Sequence, residues 1–196
     1  LQFAGLWNIV KKNGKLGFLN DQGILIGDMQ WDDVVQFSEY YIPSQNILAV
    51  KRKNKIGFVD KNSKEIIPPL YDEVGVPASD SHSTSFIQGI IRVKQNGKYG
   101  YINESGTTLI ATQYDSIIGF GIFDTQKSNP AFVKKGGKWG LIDRLEGKEF
   151  TPIKYDTINK FIDGVAKITV DKKYGLINTQ GIELIKPQFD KLNTLT

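Results

Sequence analysis

The sequence predicts an all-β repeat protein, built as an open twisted array of five tandem units. Three observations predict it. A Lys-x-Gly motif returns five times, an aromatic-Asp pair follows every copy at nearly constant distance, and turn dipeptides separate short apolar runs. No segment longer than about ten residues has helical spacing of its apolar positions, so many short strands are expected.

The five copies are KLGFLN (15–20), KIGFVD (55–60), KYGYIN (98–103), KWGLID (138–143) and KYGLIN (173–178). Their glycines, Gly17, Gly57, Gly100, Gly140 and Gly175, are spaced by 40, 43, 40 and 35 residues, the range of repeat architectures. Seven residues before each glycine stands an apolar residue: Val10, Val50, Val93, Val133 or Ile168. In three copies a turn dipeptide lies between: Asn13-Gly14, Asn96-Gly97 and Gly136-Gly137. Such pairs accept positive φ at both central positions, which matches the twist of an antiparallel hairpin. A second turn is expected at Gly23, Ser63, Gly106, Gly147 and Gly181, followed by a short apolar run. Pro68, Pro69, Pro152 and Pro187 are expected to end that run, because proline cannot donate to a strand ladder. The pairs WDDV, YDEV, YDSI, YDTI and FDKL close the units with Asp32, Asp72, Asp115, Asp156 and Asp190. The Gly-to-Asp separation is 15 residues in four copies and 16 in the fourth. The units divide as 1–33, 34–73, 74–116, 117–157 and 158–196, in one repeat domain. The alternative to an open array is a closed five-bladed β-propeller, in which the N-terminal strand would complete the last unit.

This recurring pattern resembles the WG-repeat family of bacterial β-rich repeat proteins, over essentially the whole chain. Only Trp139 keeps the tryptophan of the family's name; Leu16, Ile56, Tyr99 and Tyr174 take its place elsewhere. The resemblance implies a repeat scaffold, in a family usually without an assigned activity.

Equivalent residues of a repeat stack on their neighbours, so Leu16, Ile56, Tyr99, Trp139 and Tyr174 are expected to form an apolar ladder. The glycine after each would let a ring or backbone lie close above it. The recurring Lys15, Lys55, Lys98, Lys138 and Lys173 and the five aspartates read as Lys–Asp pairs, or as aspartates each capping a turn of its own backbone. A calcium loop needs several oxygen ligands within a few residues, and each unit offers one recurring Asp. A second row, Lys11, Lys51, Lys94, Lys134 and Thr169, is expected on the solvent face.

The chain has no cysteine, which excludes disulfides and thiolate chemistry and leaves the compartment open. A net charge of +4 with 21 interspersed acidic residues forms no basic arm, so nucleic acid is not the expected partner. No apolar stretch approaches the ~20 residues of a membrane helix. LQFAGLWNIV lacks a basic n-region and a cleavage pattern, and reads as domain sequence. His82, the only histidine, sits in SDSHSTS; a polar loop that spells Ser, His and Asp is composition rather than a triad, whose members come from separate rigid elements. No catalytic residue, metal site or cofactor is expected.

Between each Asp and the next Lys-x-Gly glycine the chain runs 25, 28, 25 and 19 residues. The extra residues lie in SEYYIPSQN, VPASDSHSTSF and GIFDTQKSN, at equivalent places in successive units. Insertions of this kind map to loops on one face, often the binding face. Tyr40, Tyr41, His82 and Phe123 are therefore the candidate partner-binding residues. Another protein is the expected partner, and a cell-envelope polysaccharide the alternative.

Overall fold

A computed structural model describes residues 8–35, 47–75, 90–119, 130–143 and 146–193. Among them there is no helix; eighteen strands form five separate antiparallel sheets, one per Lys-x-Gly copy. Sheet 1 has the order β1 (Asn8–Lys12), β2 (Lys15–Leu19), β3 (Leu25–Trp31). Sheet 2 adds a two-residue first strand, β4 (Asp33–Val34), before β5 (Ile47–Arg52), β6 (Lys55–Asp60) and β7 (Glu65–Tyr71). Sheet 3 repeats that order with β8 (Glu73–Val74), β9 (Ile90–Gln95), β10 (Lys98–Asn103) and β11 (Thr108–Tyr114). Sheet 4 comprises β12 (Ser116–Gly119), β13 (Pro130–Lys135) and β14 (Lys138–Asp143); bridges Ile142–Glu149 and Trp139–Tyr155 hold its next segment. Sheet 5 comprises β15 (Thr157–Ile158), β16 (Val165–Val170), β17 (Lys173–Asn178) and β18 (Glu183–Phe189).

The central hairpin of each sheet follows from its turn. Both turn residues have positive φ in all five: 51° and 77° at Asn13-Gly14, 51° and 60° at Lys53-Asn54, 52° and 78° at Asn96-Gly97, 58° and 83° at Gly136-Gly137, 49° and 64° at Asp171-Lys172. Two copies thus adopt the same turn without glycine. The apolar residue seven places earlier is the glycine's cross-strand partner, as in Val10–Gly17, Val50–Gly57, Val133–Gly140 and Ile168–Gly175. The second turn is held by the Asp or Asn that ends each motif. Asn20, Asp60, Asn103 and Asn178 each accept two backbone N–H bonds through Oδ1, and Asp143 accepts one from Glu146. Either residue supplies that acceptor oxygen, which is why the position alternates between them.

The glycine before this turn faces a bulge rather than a ring. Ile56 pairs with Tyr71 and Phe58 with Ile67, so Pro68, Pro69 and Leu70 arch over Gly57 alone. A Cβ there would collide with the Ile67 carbonyl oxygen and lie 2.7 Å from Pro69 N. Pro152 lies in no strand, between the two bridges of sheet 4, but the other three prolines do not end the third strand. Pro68 and Pro69 lie within β7 and Pro187 within β18, in bulges where no ladder donor is required.

Each sheet is thin and must be covered by a neighbour. The chain divides into two compact units; sheets 1 and 2, with β8 and β9, belong to the first, and sheets 4 and 5 to the second. In the first unit Leu48, Val50 and Val59 pack with Leu16, Phe18 and Trp31 of sheet 1. On the opposite face of sheet 2, Ile47, Ala49, Ile56, Phe58, Ile67 and Tyr71 pack with Ile91, Val93 and Ile102. In the second unit Leu141 and Tyr155 pack with Ala166, Ile168 and Ile177 of sheet 5. The expected ladder lies on these faces, with Leu16 and Ile56 buried and Tyr99, Trp139 and Tyr174 half-buried at the rim.

Two stability outcomes follow. Gly100→Ala should cost more than Gly140→Ala, within about 1–3 kcal/mol for overpacking. A Cβ at Gly100 meets the Ile110 carbonyl and lies 2.8 Å from the Ala111 carbonyl carbon, all rigid backbone, whereas the closest atom at Gly140 is the Ile153 side chain at 2.9 Å. Lys172→Gly should stabilise by about 1 kcal/mol, since it relieves a left-handed residue. Thermal melts of the three variants check both.

Candidate functional site

The recurring lysines and aspartates form one repeated contact. Lys15 donates to Asp32 Oδ1, Lys55 to Asp72, Lys98 to Asp115 and Lys138 to Asp156, while Lys173 reaches Asp190 at 2.5 Å. The other oxygen, Oδ2, accepts a backbone N–H from the hairpin turn of the following sheet: Lys53 at 2.7 Å, and Asn96, Gly136 and Asp171 at 2.8 Å. The backbone N–H of the same four aspartates donates at 2.8 Å to Lys51, Lys94, Lys134 and Thr169 of that hairpin. Each of these carboxylates therefore joins the strand behind it to the turn ahead. The Lys–Asp pairing was legible in the sequence. The turn N–H was not, because a backbone donor has no sequence signature.

These side chains are between a third and a half exposed, so solvent screens the ion pairs. The lysine bond, and next the turn N–H at Asp32, Asp115 and Asp156, hold those carboxyls below the ordinary 3.8; at Asp72 the Lys55 bond dominates. Arg52 is braced beside the first clasp, donating at 2.5 Å to Gln30 and 3.0 Å to Glu65, with its guanidinium 4.9 Å from the Trp31 ring. The second basic row does not lie on the solvent face. Lys51 is half-buried opposite Ile56, Lys94 is half-buried and 3.4 Å from Glu73, and Lys134 lies 5.3 Å from the centre of the Trp139 ring. Strand alternation puts the row on the face of the ladder residues, where the aliphatic stems cover the rim; Lys11 alone of its lysines is exposed.

The candidate partner-binding residues Tyr40, Tyr41, His82 and Phe123 lie outside the described residues. Their segments join the first strand of a sheet to its hairpin, between β4 and β5, β8 and β9, and β12 and β13. Sheet 5 displays the short form of that connection. Asn159 donates to Lys167 O at 2.9 Å, and Asp163-Gly164, with φ of 48° and 77°, turns the chain so that Ile162 meets Val165. Next to the β8–β9 segment, buried Arg92 donates at 2.9 Å to Gly75 O and at 3.2 Å to Glu73. Among the described residues no three His, Cys, Asp or Glu side chains are grouped to hold a metal ion, and no helix is long and apolar enough to cross a membrane.

A sequence profile described as "WG containing repeat" matches residues 56–80, 83–99, 99–139, 139–174 and 174–194, more than half of the chain. No curated protein matches it. Among solved structures, the chain is similar to the computationally designed Ika8 protein, with 13% identity and a TM-score of 0.35, over 93% of this chain and 59% of that one. It is similar also to dihydro-heme d1 dehydrogenase NirN in complex with DHE, at 12% and 0.38 over 89% and 43%. Kluyveromyces lactis Hsv2 matches at 10% and 0.34 over 91% and 59%. The chain thus spans roughly half the length of these structures, and identities and TM-scores of this size transfer neither ligand nor activity.

The clasp sets an acid limit. A carboxyl with a lowered folded pKa contributes stability that is complete above the unfolded value of 3.8 and is lost as pH falls through the folded value. The melting temperature should hold from neutral pH to about pH 5 and then drop. Replacing Asp32, Asp72, Asp115 and Asp156 by Asn should lower it at neutral pH and flatten the acid limb. A pH series of melts on both proteins checks this.

Proposed function

The chain belongs to the WG-containing repeat family, and on that footing we propose that it is a non-enzymatic scaffold that binds another protein through its inter-strand loops. One observation supports the reading above others. The connection from first strand to hairpin needs only the six residues Asn159 to Gly164 in sheet 5, yet the three equivalent connections are longer. The frame does not require that extra length. Surface loops on a rigid repeat frame are the usual place for recognition residues. Tyr40, Tyr41 and Phe123 supply aromatic anchors of the type enriched at protein interfaces, and His82 a polar group. The lysines and aspartates are consumed by the clasp, so the frame spends its recurring charges on itself and leaves recognition to the loops.

Replacing residues 36–46, 76–89 and 120–129 with the sheet 5 connection should leave the melting temperature within a few degrees and remove partner capture. Tyr40→Ala with Tyr41→Ala, His82→Ala and Phe123→Ala should each weaken it. Affinity capture from lysate, quantified against the parent chain, is the measurement. An unchanged set of captured proteins rejects the loops as the binding surface. Loop-dependent retention on insoluble cell-envelope polysaccharide, with no protein captured, would favour the glycan reading.

A further inference from the structure

The hairpin turn that follows β9 holds a reactive pair. The chain has two Asn-Gly dipeptides, Asn13-Gly14 and Asn96-Gly97. Four turns give an N–H to an aspartate, at Lys53, Asn96, Gly136 and Asp171, and of these Asn96 alone is followed by glycine as an asparagine. Asparagine before glycine is chemically labile, because no side chain shields the glycine nitrogen from the carboxamide. Asn96 and Gly97 are both exposed, and nothing lies within 4 Å of where a Gly97 Cβ would stand.

The reaction open to this pair balances with water alone. The Gly97 nitrogen attacks Asn96 Cγ, the side-chain nitrogen leaves as ammonia with the Gly97 proton, and a cyclic imide remains. Water then opens the ring. Addition at Cγ gives aspartate. Addition at the main-chain carbonyl carbon gives isoaspartate, whose backbone runs through Cβ and Cγ. One water is consumed, one ammonia is released, and nothing is oxidised or reduced.

The folded turn withholds this step. φ is 52° at Asn96 and 78° at Gly97, both left-handed. In that region Cβ lies beside the residue's own carbonyl oxygen. The nitrogen on the other side of the same carbonyl carbon is then turned away from Cβ, and so from the Cγ it must reach. Asp72 braces the same turn. Its Oδ2 accepts the Asn96 N–H at 2.8 Å, and its own N–H donates to Lys94 O at 2.8 Å. The Lys55 bond first, and the Asn96 and Gly97 N–H groups after it, hold the Asp72 carboxyl below 3.8. A carboxylate facing the Gly97 N–H also opposes the loss of its proton, since like charges disfavour one another.

From this geometry we infer that Asn96-Gly97 is a latent deamidation site, gated by the Asp72 clasp. Conversion passes through local opening of the turn, which frees the Asn96 backbone to bring nitrogen and Cγ together. The outcome is one-way. Either product adds a carboxylate to a turn that faces Asp72, and isoaspartate lengthens the backbone by one carbon, which takes the turn N–H groups out of register with Oδ2. An opening between Asp72 and the β9 turn is thereby recorded as a permanent negative charge.

Incubating the parent chain at neutral pH, both native and in urea, tests this, with the Asn96 peptide assayed by mass spectrometry for aspartate and isoaspartate. Conversion should be slow in the native chain and fast in urea. Asp72→Ala should speed native conversion about fivefold, the effect of one lost hydrogen bond on an opening equilibrium. Lys55→Met, a milder loosening of the same clasp, should speed it as well and serves if Asp72→Ala unfolds. Asp156→Ala breaks the equivalent clasp on Asp171 and should leave Asn96 conversion at the parent rate. Native conversion as fast as that in urea overturns the inference. So does an unchanged rate in Asp72→Ala or, where that variant unfolds, in Lys55→Met. An Asp156→Ala rate raised as much as theirs also overturns it, because the opening is then global unfolding rather than release of this clasp.

Discussion

A carboxylate has two oxygens, and at Asp32, Asp72, Asp115 and Asp156 they are taken by groups from either side of a junction. One binds a lysine on the strand behind, the other the turn N–H of the hairpin ahead. Solvent reaches these pairs, so their contribution to stability is modest. Their directional contribution is larger. Two hydrogen bonds to fixed oxygens, together with the aspartate's own N–H, fix where the next hairpin begins relative to the last strand. A neutral amide could accept the turn N–H but would lose the attraction to the lysine. The charge requirement accounts for Asp in all five copies, beside a second-turn position where Asn and Asp alternate.

The cohesion comes from the faces between sheets. β5 opens with ILAV, four buried residues in a row, because Leu48 and Val50 meet sheet 1 while Ile47 and Ala49 meet the strands that follow. A strand covered on both sides loses the polar alternation of a half-solvated one. The ladder residue and the aromatic of the aromatic-Asp pair are direct cross-strand partners, as in Leu16–Trp31, Ile56–Tyr71 and Tyr174–Phe189. The two halves of the motif, fifteen residues apart in most copies, are one contact in space.

What the sequence disclosed follows from which physics is local. Hairpin turns at Asn13-Gly14, Asn96-Gly97 and Gly136-Gly137 are written in residue type, as are the Lys–Asp spacings. Lys53-Asn54 and Asp171-Lys172 make the same turn with residues that do not advertise it, because the hairpin imposes the geometry. Pro68, Pro69 and Pro187 were misleading as strand terminators, since a bulge such as the one over Gly57 makes room for residues without a donor. Lys51 and Lys134 were misread as solvated because a lysine can lay its stem on an apolar face while its charge stays at the rim. Membership of the repeat family was legible from the motif. The candidate loop residues Tyr40, Tyr41, His82 and Phe123 belong to the segments with least repetition, where periodicity says nothing.

The six-residue connection from Asn159 to Gly164 has a consequence for how such a chain can diversify. Between β8 and β9 the same two anchor points are joined by fifteen residues. Loop-closure entropy grows only with the logarithm of length, so that difference costs about 0.8 kcal/mol. The first residue of each connection is already tied to the frame: Gly75 N–H donates to Arg92 O on one sheet, and Asn159 N–H to Lys167 O on another. Insertion length is therefore nearly neutral to folding at these positions, and selection can lengthen, shorten or rewrite one loop without renegotiating the frame or the loops beside it.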